Sequence, residues 1–243
     1  MVTTTVTTTV TTMNDAGSYP PELAVGVTSD RITTVSPAAR AVHKRILKWF
    51  ATHGNAPTRD ELAAVASGHE LDRLLAELHD RDVIRLADNG DIRAAYPFSA
   101  VPTTHVVAID GGPAVFSMCA VDALGMAAML DRDITIESRD PYSGDAITVT
   151  VHDGHASWVP AAGVVFVGSQ AKPHNEGSQG CCPPDDTTRA AAAGICCHVM
   201  NFFADTANAH AWRQANPTVS GHILSQQQAL RLGNDIFGRL LRD

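Results

Sequence analysis

Two short cysteine-bearing segments carry the reactive groups of this chain: Met118-Cys119-Ala120-Val121-Asp122 and, well downstream, Ile195-Cys196-Cys197-His198-Val199. A thiol with a carboxylate three residues on, joined by a distant vicinal thiol pair, assembles soft ligands and a proton carrier. Thiolates select soft, thiophilic metals, and the thiolate is both the nucleophilic and the ligating form of cysteine. If a helix starts at Cys119, Asp122 lies on the same face one turn along. The partial positive charge of the helix N-terminus then favours the thiolate. Taken alone, Cys-x-x-Asp also fits a small buried thiol beside a helix-face acid.

The second segment reads as a strand from Cys196 to Phe203. Neighbouring strand residues point to opposite faces, so one of Cys196 and Cys197 would line a site while the other packs behind it. His198 would point with Cys196, and a satisfied core histidine is the expectation. A second vicinal pair, Cys181-Cys182, sits with His174 in a long Pro/Gly-rich stretch, 168–194. Structural zinc sites usually space the cysteines of a pair by two to four residues, and neither adjacent pair does so. Soft-metal relay and cysteines without a role fit Cys181-Cys182 equally.

The elements that must position these groups fall into two parts. Ser36-Pro37 reads as an N-cap with proline at the first helical position, followed by a stripe of Val42, Ile46, Trp49 and Phe50 that ends at Gly54. Thr58-Arg59-Asp60-Glu61 and Ser67-Gly68-His69-Glu70 read as capping boxes, the second opening a helix faced by Leu71, Leu74, Leu75 and Leu78. Val83 to Leu86 and Ile92 to Ala95, joined across Asp88-Asn89-Gly90, make a hairpin. Three helices and a hairpin over 36–98 give the outline of a winged helix. Its third helix carries Glu70, Asp72, Glu77, Asp80 and Asp82 against Arg73 and Arg81. Phosphates would be repelled, so nucleic acid is not expected as a partner.

After a connector at 96–102 the pattern turns to strands at 105–109, 114–117, 134–137, 146–151 and 164–167. An apolar helix spans 119–130, and helices at 205–214 and from the capping box at Ser225 close the chain. The fold class is α+β: a winged-helix-like domain over 36–98, then a mixed-sheet domain over 103–243. Residues 1–35, opening on the Thr/Val tract MVTTTVTTTVTT, are expected to be extended or disordered. That tract lacks the cationic and apolar regions of a signal peptide.

The chain is 44% hydrophobic and 18% charged, which is globular, and its net charge of −8 again disfavours nucleic acid. Five cysteines, two pairs of them adjacent, do not form the dense even-numbered set of a small secreted scaffold. Reduced thiols in a cytosol are expected. No apolar run approaches transmembrane length, so no membrane partner is expected.

Cys119-Ala120-Val121-Asp122 before an apolar helix, followed by Cys196-Cys197-His198-Val199 and the aromatic pair Phe202-Phe203, resembles the organomercurial (alkylmercury) lyases. The order of parts is similar too, over roughly 38–241. The resemblance implies a lyase that cleaves carbon–mercury bonds by protonolysis, giving a hydrocarbon and thiolate-bound Hg(II). It implies Cys119 and Cys196 as the two essential thiols and Asp122 as their acidic partner, all three as mercury contacts, with a secondary mercury contact at Cys197. No cofactor is implied; an organomercurial is the substrate, and small thiols or a mercuric reductase accept the bound Hg(II) product.

Three departures stand out. One extra residue separates Cys-Cys-His from the aromatic pair, the preceding loop is longer and carries Cys181-Cys182, and Asp140 stands where some relatives have another cysteine. Two other functions use the same residues: a soft-metal sensor or chaperone that does not cleave, and a lyase relative acting on a different substrate.

Overall fold

The computed structural model describes residues 18–24, 28–170 and 196–242. The Thr/Val tract, His174 and Cys181-Cys182 lie outside them. Within 1–35 the described residues are not extended throughout: they hold a 3-10 turn, Pro21–Ala24, and a short helix α1 (Thr28–Thr33). Arg31 on α1 is buried and bonds the Asp82 carboxylate at 2.7 Å. A short helix held in part by a buried ion pair to a residue far along the chain shows no such partner in its own sequence.

Local signals set the next helices. In α2 (Pro37–His53) the Ser36 hydroxyl accepts from Ala39 N, and Gly54 closes the helix at φ 80, the left-handed conformation that glycine adopts without strain. Its buried face is Val42, His43, Ile46, Leu47 and Phe50, while Trp49 turns outward and stacks on His53 with ring centres 3.7 Å apart. The capping box at Thr58 opens α3 (Arg59–Leu62). In α4 (Gly68–Asp80) Leu71, Leu74, Leu75 and Leu78 are buried as expected, but Ser67 makes no side-chain cap bond, so the second capping box does not form. Asp82 adds nothing to the acidic face of α4, because it is buried against Arg31.

The hairpin β1 (Ile84–Leu86) and β2 (Ile92–Ala95) is not a free wing. Within the connector lies a strand β3 (Phe98–Ser99), which pairs with β2 on one side. Beyond it come β4 (Val106–Ile109), β5 (Ala114–Ser117), helix α5 (Ala120–Leu130), β6 (Ile134–Arg139), β7 (Ala146–His152) and β8 (His155–Val159). All eight strands form one antiparallel sheet in the order β1-β2-β3-β5-β4-β6-β7-β8. The two parts read from sequence therefore share a sheet and a continuous core. Strand β8 was not among the expected strands. It is turned back by Asp153-Gly154, at φ 48 and 75, the Asp-Gly signal of a two-residue hairpin.

A second sheet is built around β9 (Val164–Gln170), with β10 (Asn201–Phe203) and β11 (Val219–Leu224) antiparallel on either side. Between the latter two lies α6 (Thr206–Ala215), capped by Asp205, and α7 (Gln226–Phe237) follows with the capping box at Ser225. Strand β11 is a further addition to the expected set. Its end residues Val219 and Leu224 are buried and the residues between are not, so no alternation marks it.

Helix α5 is buried almost all round, touches both sheets and packs most extensively on α7. The two helices meet at glycines. A Cβ on Gly125 would lie 2.5 Å from Phe237 Cδ2 and 2.6 Å from the Gly233 carbonyl oxygen, so neither position accepts a larger residue without moving a helix that carries the site. No helix among the described residues is long and apolar enough to cross a membrane.

Candidate active site

Cys119 is the N-cap of α5, as the sequence suggests. Its backbone is extended (φ −158, ψ 177) and its Sγ accepts from Asp122 N at 3.4 Å. The strand-to-helix junction is pinned from three sides. Ser117 Oγ donates to the Cys119 carbonyl at 3.0 Å, Met118 N to Pro97 O at 3.1 Å, and Ala120 N to Met200 O at 3.1 Å. Asp122, one turn along, is buried at 5% exposure and Cys119 at 2%.

The downstream segment departs from expectation. Cys196 and Cys197 lie in a π-helical turn, followed by a turn at 198–199, and not at the start of a strand, with Val199 N and Met200 N both donating to the Cys196 carbonyl at 3.0 and 3.2 Å. Strand alternation therefore does not govern the vicinal pair. Cys197 joins the site: its Sγ lies 4.0 Å from Asp122 Oδ2. Ligand atoms of Cys119, Asp122 and Cys197 all fall within 4.8 Å of one another.

Cys196, expected as the second essential thiol, is buried but is not a member of that group of three. The physical reason is register. Phe202 and Phe203 pair with Val165 and Val164 on β9, which fixes the chain from its aromatic end. The extra residue before the aromatic pair is then absorbed in the turn. Counting back from Phe202-Phe203, and not forward from the first cysteine, is the sequence signal that selects Cys197.

His198 is also corrected. It is exposed, with Nε2 2.6 Å from Gln170 Oε1, and is not a core histidine. Phe202 and Met126 are fully buried in the core, and Met118 is partly buried against it.

The electrostatics divide the two thiols. Burial pushes the Cys119 thiol up, but the hydrogen bond from Cys197, with those from the backbone and side chain of Asp122, outweighs it and holds Cys119 below the ordinary thiol value. Cys197 is pushed well above that value, first by the hydrogen bond it makes to Cys119, then by burial and by the charges of Asp122, Cys119 and the neighbouring Cys196. The same pair thus makes Cys119 the easier of the two thiols to ionise and Cys197 the harder. Cys119, Cys196 and Cys197 are all free of disulfides.

Asp140 is a residue whose role the sequence did not reveal. It is buried at 1% exposure. Its Oδ2 accepts from Ala204 N at 2.8 Å and Asn208 Nδ2 at 2.9 Å, and its Oδ1 from Tyr142 N at 2.8 Å and Ser143 N at 3.3 Å. Burial raises its pKa, but these bonds outweigh burial and leave it below the usual carboxylate value. The side chain fastens the β6–β7 turn to the chain just after β10, and so holds the strand that follows the Cys197 turn.

Such a site, in a mixed α+β fold with antiparallel sheets, defines a thiol-dependent protein able to hold a soft metal beside a carboxylate. The model of one family, MerB, alkylmercury lyase, matches residues 98–238, more than half of the chain, and the chain belongs to that family. It is similar to the alkylmercury lyase of Staphylococcus epidermidis (25% identical over 195 residues, 80% of each chain). It is also similar to that of Pseudomonas putida (29% over 141 residues, 58% of each). The fold is similar to the crystal structure of the mercury-bound form of MerB2, with a TM-score of 0.71 at 24% identity, covering 91% of this chain and 100% of that one.

Proposed function

We propose that this protein is an organomercurial lyase whose chemistry is carried by Cys119, Asp122 and Cys197. Family membership supports the reaction class. The observation that carries the residue assignment is the convergence of two thiols and one carboxylate in a buried group. A carbon–mercury bond resists water because water is a hard, weak ligand for a soft metal and a carbanion leaves poorly. Thiolate donation makes the bonded carbon basic enough to accept a proton.

In this scheme the Cys119 thiolate bonds to mercury in R–Hg–X and displaces X⁻. The Cys197 thiol gives its proton to Asp122 as its sulfur becomes the second mercury ligand. The Asp122 carboxyl passes that proton to carbon, the electron pair of the C–Hg bond becomes the new C–H bond, and R–H departs. Hg(II) remains on two thiolates, and the overall step is R–Hg–X plus two thiols giving R–H, the bis-thiolate of mercury and HX. Small thiols or a mercuric reductase then accept the metal. No organic cofactor enters the scheme.

We read 36–98 as a winged-helix-like unit with a structural role, supported by its helix order and the acidic side chains on α4. A cytoplasmic location fits the reduced thiols. Incubation of the protein with phenylmercury or methylmercury and excess small thiol, with assay of benzene or methane, tests the function. Hydrocarbon release with turnover is the expected result. Mercury retained without hydrocarbon would instead make this a soft-metal sensor or chaperone.

A further inference from the structure

We propose that Met200 is a third soft ligand for mercury in this site, a neutral thioether beside the Cys119 thiolate. The inference rests on the assignment of Cys119, Asp122 and Cys197 above. Met200 Sδ lies 4.0 Å from Cys119 Sγ, as close as Cys197 Sγ lies to Asp122. The nucleophilic sulfur therefore has the carboxylate, the thiol and a thioether all among its near neighbours.

The backbone of Met200 is tied at both ends. Its carbonyl accepts from Ala120 N, the first residue of α5, at 3.1 Å, and its N–H donates to the Cys196 carbonyl at 3.2 Å. Met200 and Cys197 thus belong to one short turn docked on the helix that carries Cys119 and Asp122. A motion that brought one of them to a bound metal would bring the other.

Methionine is often a gap-filler in cores, and Met200 does pack against the apolar cluster while half-buried. A filler, however, has no need to present sulfur to the nucleophile. Two thiolates already neutralise Hg(II), and the hard carboxylate adds little bonding to a soft metal. A thioether is soft and uncharged at any pH, so it extends the coordination without adding charge. Being a weak donor, it also yields readily to an incoming thiol. Its effect should fall on retention of the metal, with little on proton transfer.

The test uses the full chain labelled with selenomethionine at its six methionines, loaded with Hg(II) and measured by X-ray absorption at the mercury edge. A Hg–Se contact is expected in the labelled wild type and not in labelled Met200→Leu. The unlabelled Met200→Leu protein should surrender Hg(II) to a competing small thiol at a concentration lower by at least about tenfold, the lower end of losses on removing a supporting group at a metal site. Absence of selenium next to mercury in the wild type overturns the proposal, as does its persistence in Met200→Leu or unchanged retention by that variant. If Met200→Leu does not fold, the wild-type spectrum decides alone. Loading with Hg(II) keeps this separate from the lyase reading: a wild type that cleaves organomercurials without a Hg–Se contact refutes only the role of Met200, and one that shows the contact without cleaving refutes only the lyase.

Discussion

Cys197 Sγ and Asp122 Oδ2 lie 4.0 Å apart although 75 residues separate them in the chain. Between them they form a proton route: a thiol kept protonated beside a carboxylate that can receive the proton. Cys119, on the same carboxylate's helix, is held in the opposite condition by the hydrogen bond from Cys197. The two sulfurs are therefore not equivalent, and in the proposed scheme Cys119 is the first ligand while Cys197 supplies the proton.

The vicinal cysteines should separate cleanly in activity. Cys197→Ser should lose single-turnover cleavage of phenylmercury as fully as Cys119→Ser, whereas Cys196→Ser should retain it to within a few-fold. Side-by-side rapid-quench measurements of the three variants check this. A severe loss in Cys196→Ser with activity kept in Cys197→Ser would reverse the assignment.

Asp122→Asn keeps size and removes the proton carrier. It should still capture an organomercurial but turn over at least about 100-fold more slowly, the lower end of general acid–base contributions. Equilibrium binding and single-turnover rates measured together decide it. Near-normal cleavage would transfer the proton-donating role directly to a thiol.

Because the Cys119 thiol lies below its ordinary value, its thiolate should form as pH rises through a midpoint lower than that of free cysteine. Cys197 should ionise only well above that value. Thiolate absorbance followed against pH, in the wild type and in Cys119→Ser, isolates the first transition by difference. The low transition must vanish in the variant.

Asp140→Asn replaces an acceptor of four hydrogen bonds with a group that presents N–H to donors. With at least one buried donor left unmade, stability should fall by about 1–3 kcal/mol, measured by urea unfolding at neutral pH. The carboxyl is held below its ordinary value when folded. Its contribution is therefore present above the unfolded pKa of about 3.9 and is lost as pH falls through the lower folded value. The gap between wild type and variant should narrow with acid in that window.

His43 is fully buried, with neither ring nitrogen hydrogen-bonded, and burial lowers its pKa from 6.5 to about 3. It lines a cavity of about 900 Å³ between α1, α2 and α7, remote in the chain from the thiols. The unfolded chain takes up this proton below its ordinary value while the folded chain refuses it. Stability is thus full above pH 6.5 and drains away as pH falls toward about 3. His43→Leu should lose less stability over that interval, as read from unfolding midpoints at a series of pH values.

Much of the scaffold was legible because its determinants are local. The caps at Ser36, Thr58 and Ser225, the left-handed Gly54 and the leucine stripe of α4 each depend on residues within a turn or two of one another. The start of α5 at Cys119 belongs with them, since a thiol capping a helix whose first turn contains Asp122 is a matter of three residues. The remainder depended on partners far away in sequence. β3 is two residues long and exists because β2 and β5 flank it, and Asp140 acquires its role from Ala204 and Asn208, 64 and 68 residues distant. The choice between Cys196 and Cys197 is of the same kind. The resemblance of the two motifs to the alkylmercury lyases implied that one thiol of the vicinal pair joins Cys119 and Asp122, but a one-residue slack in a turn is invisible to a short motif. Only the pairing of Phe202 and Phe203 with β9, fixed by hydrogen bonds between distant strands, decided which thiol arrives.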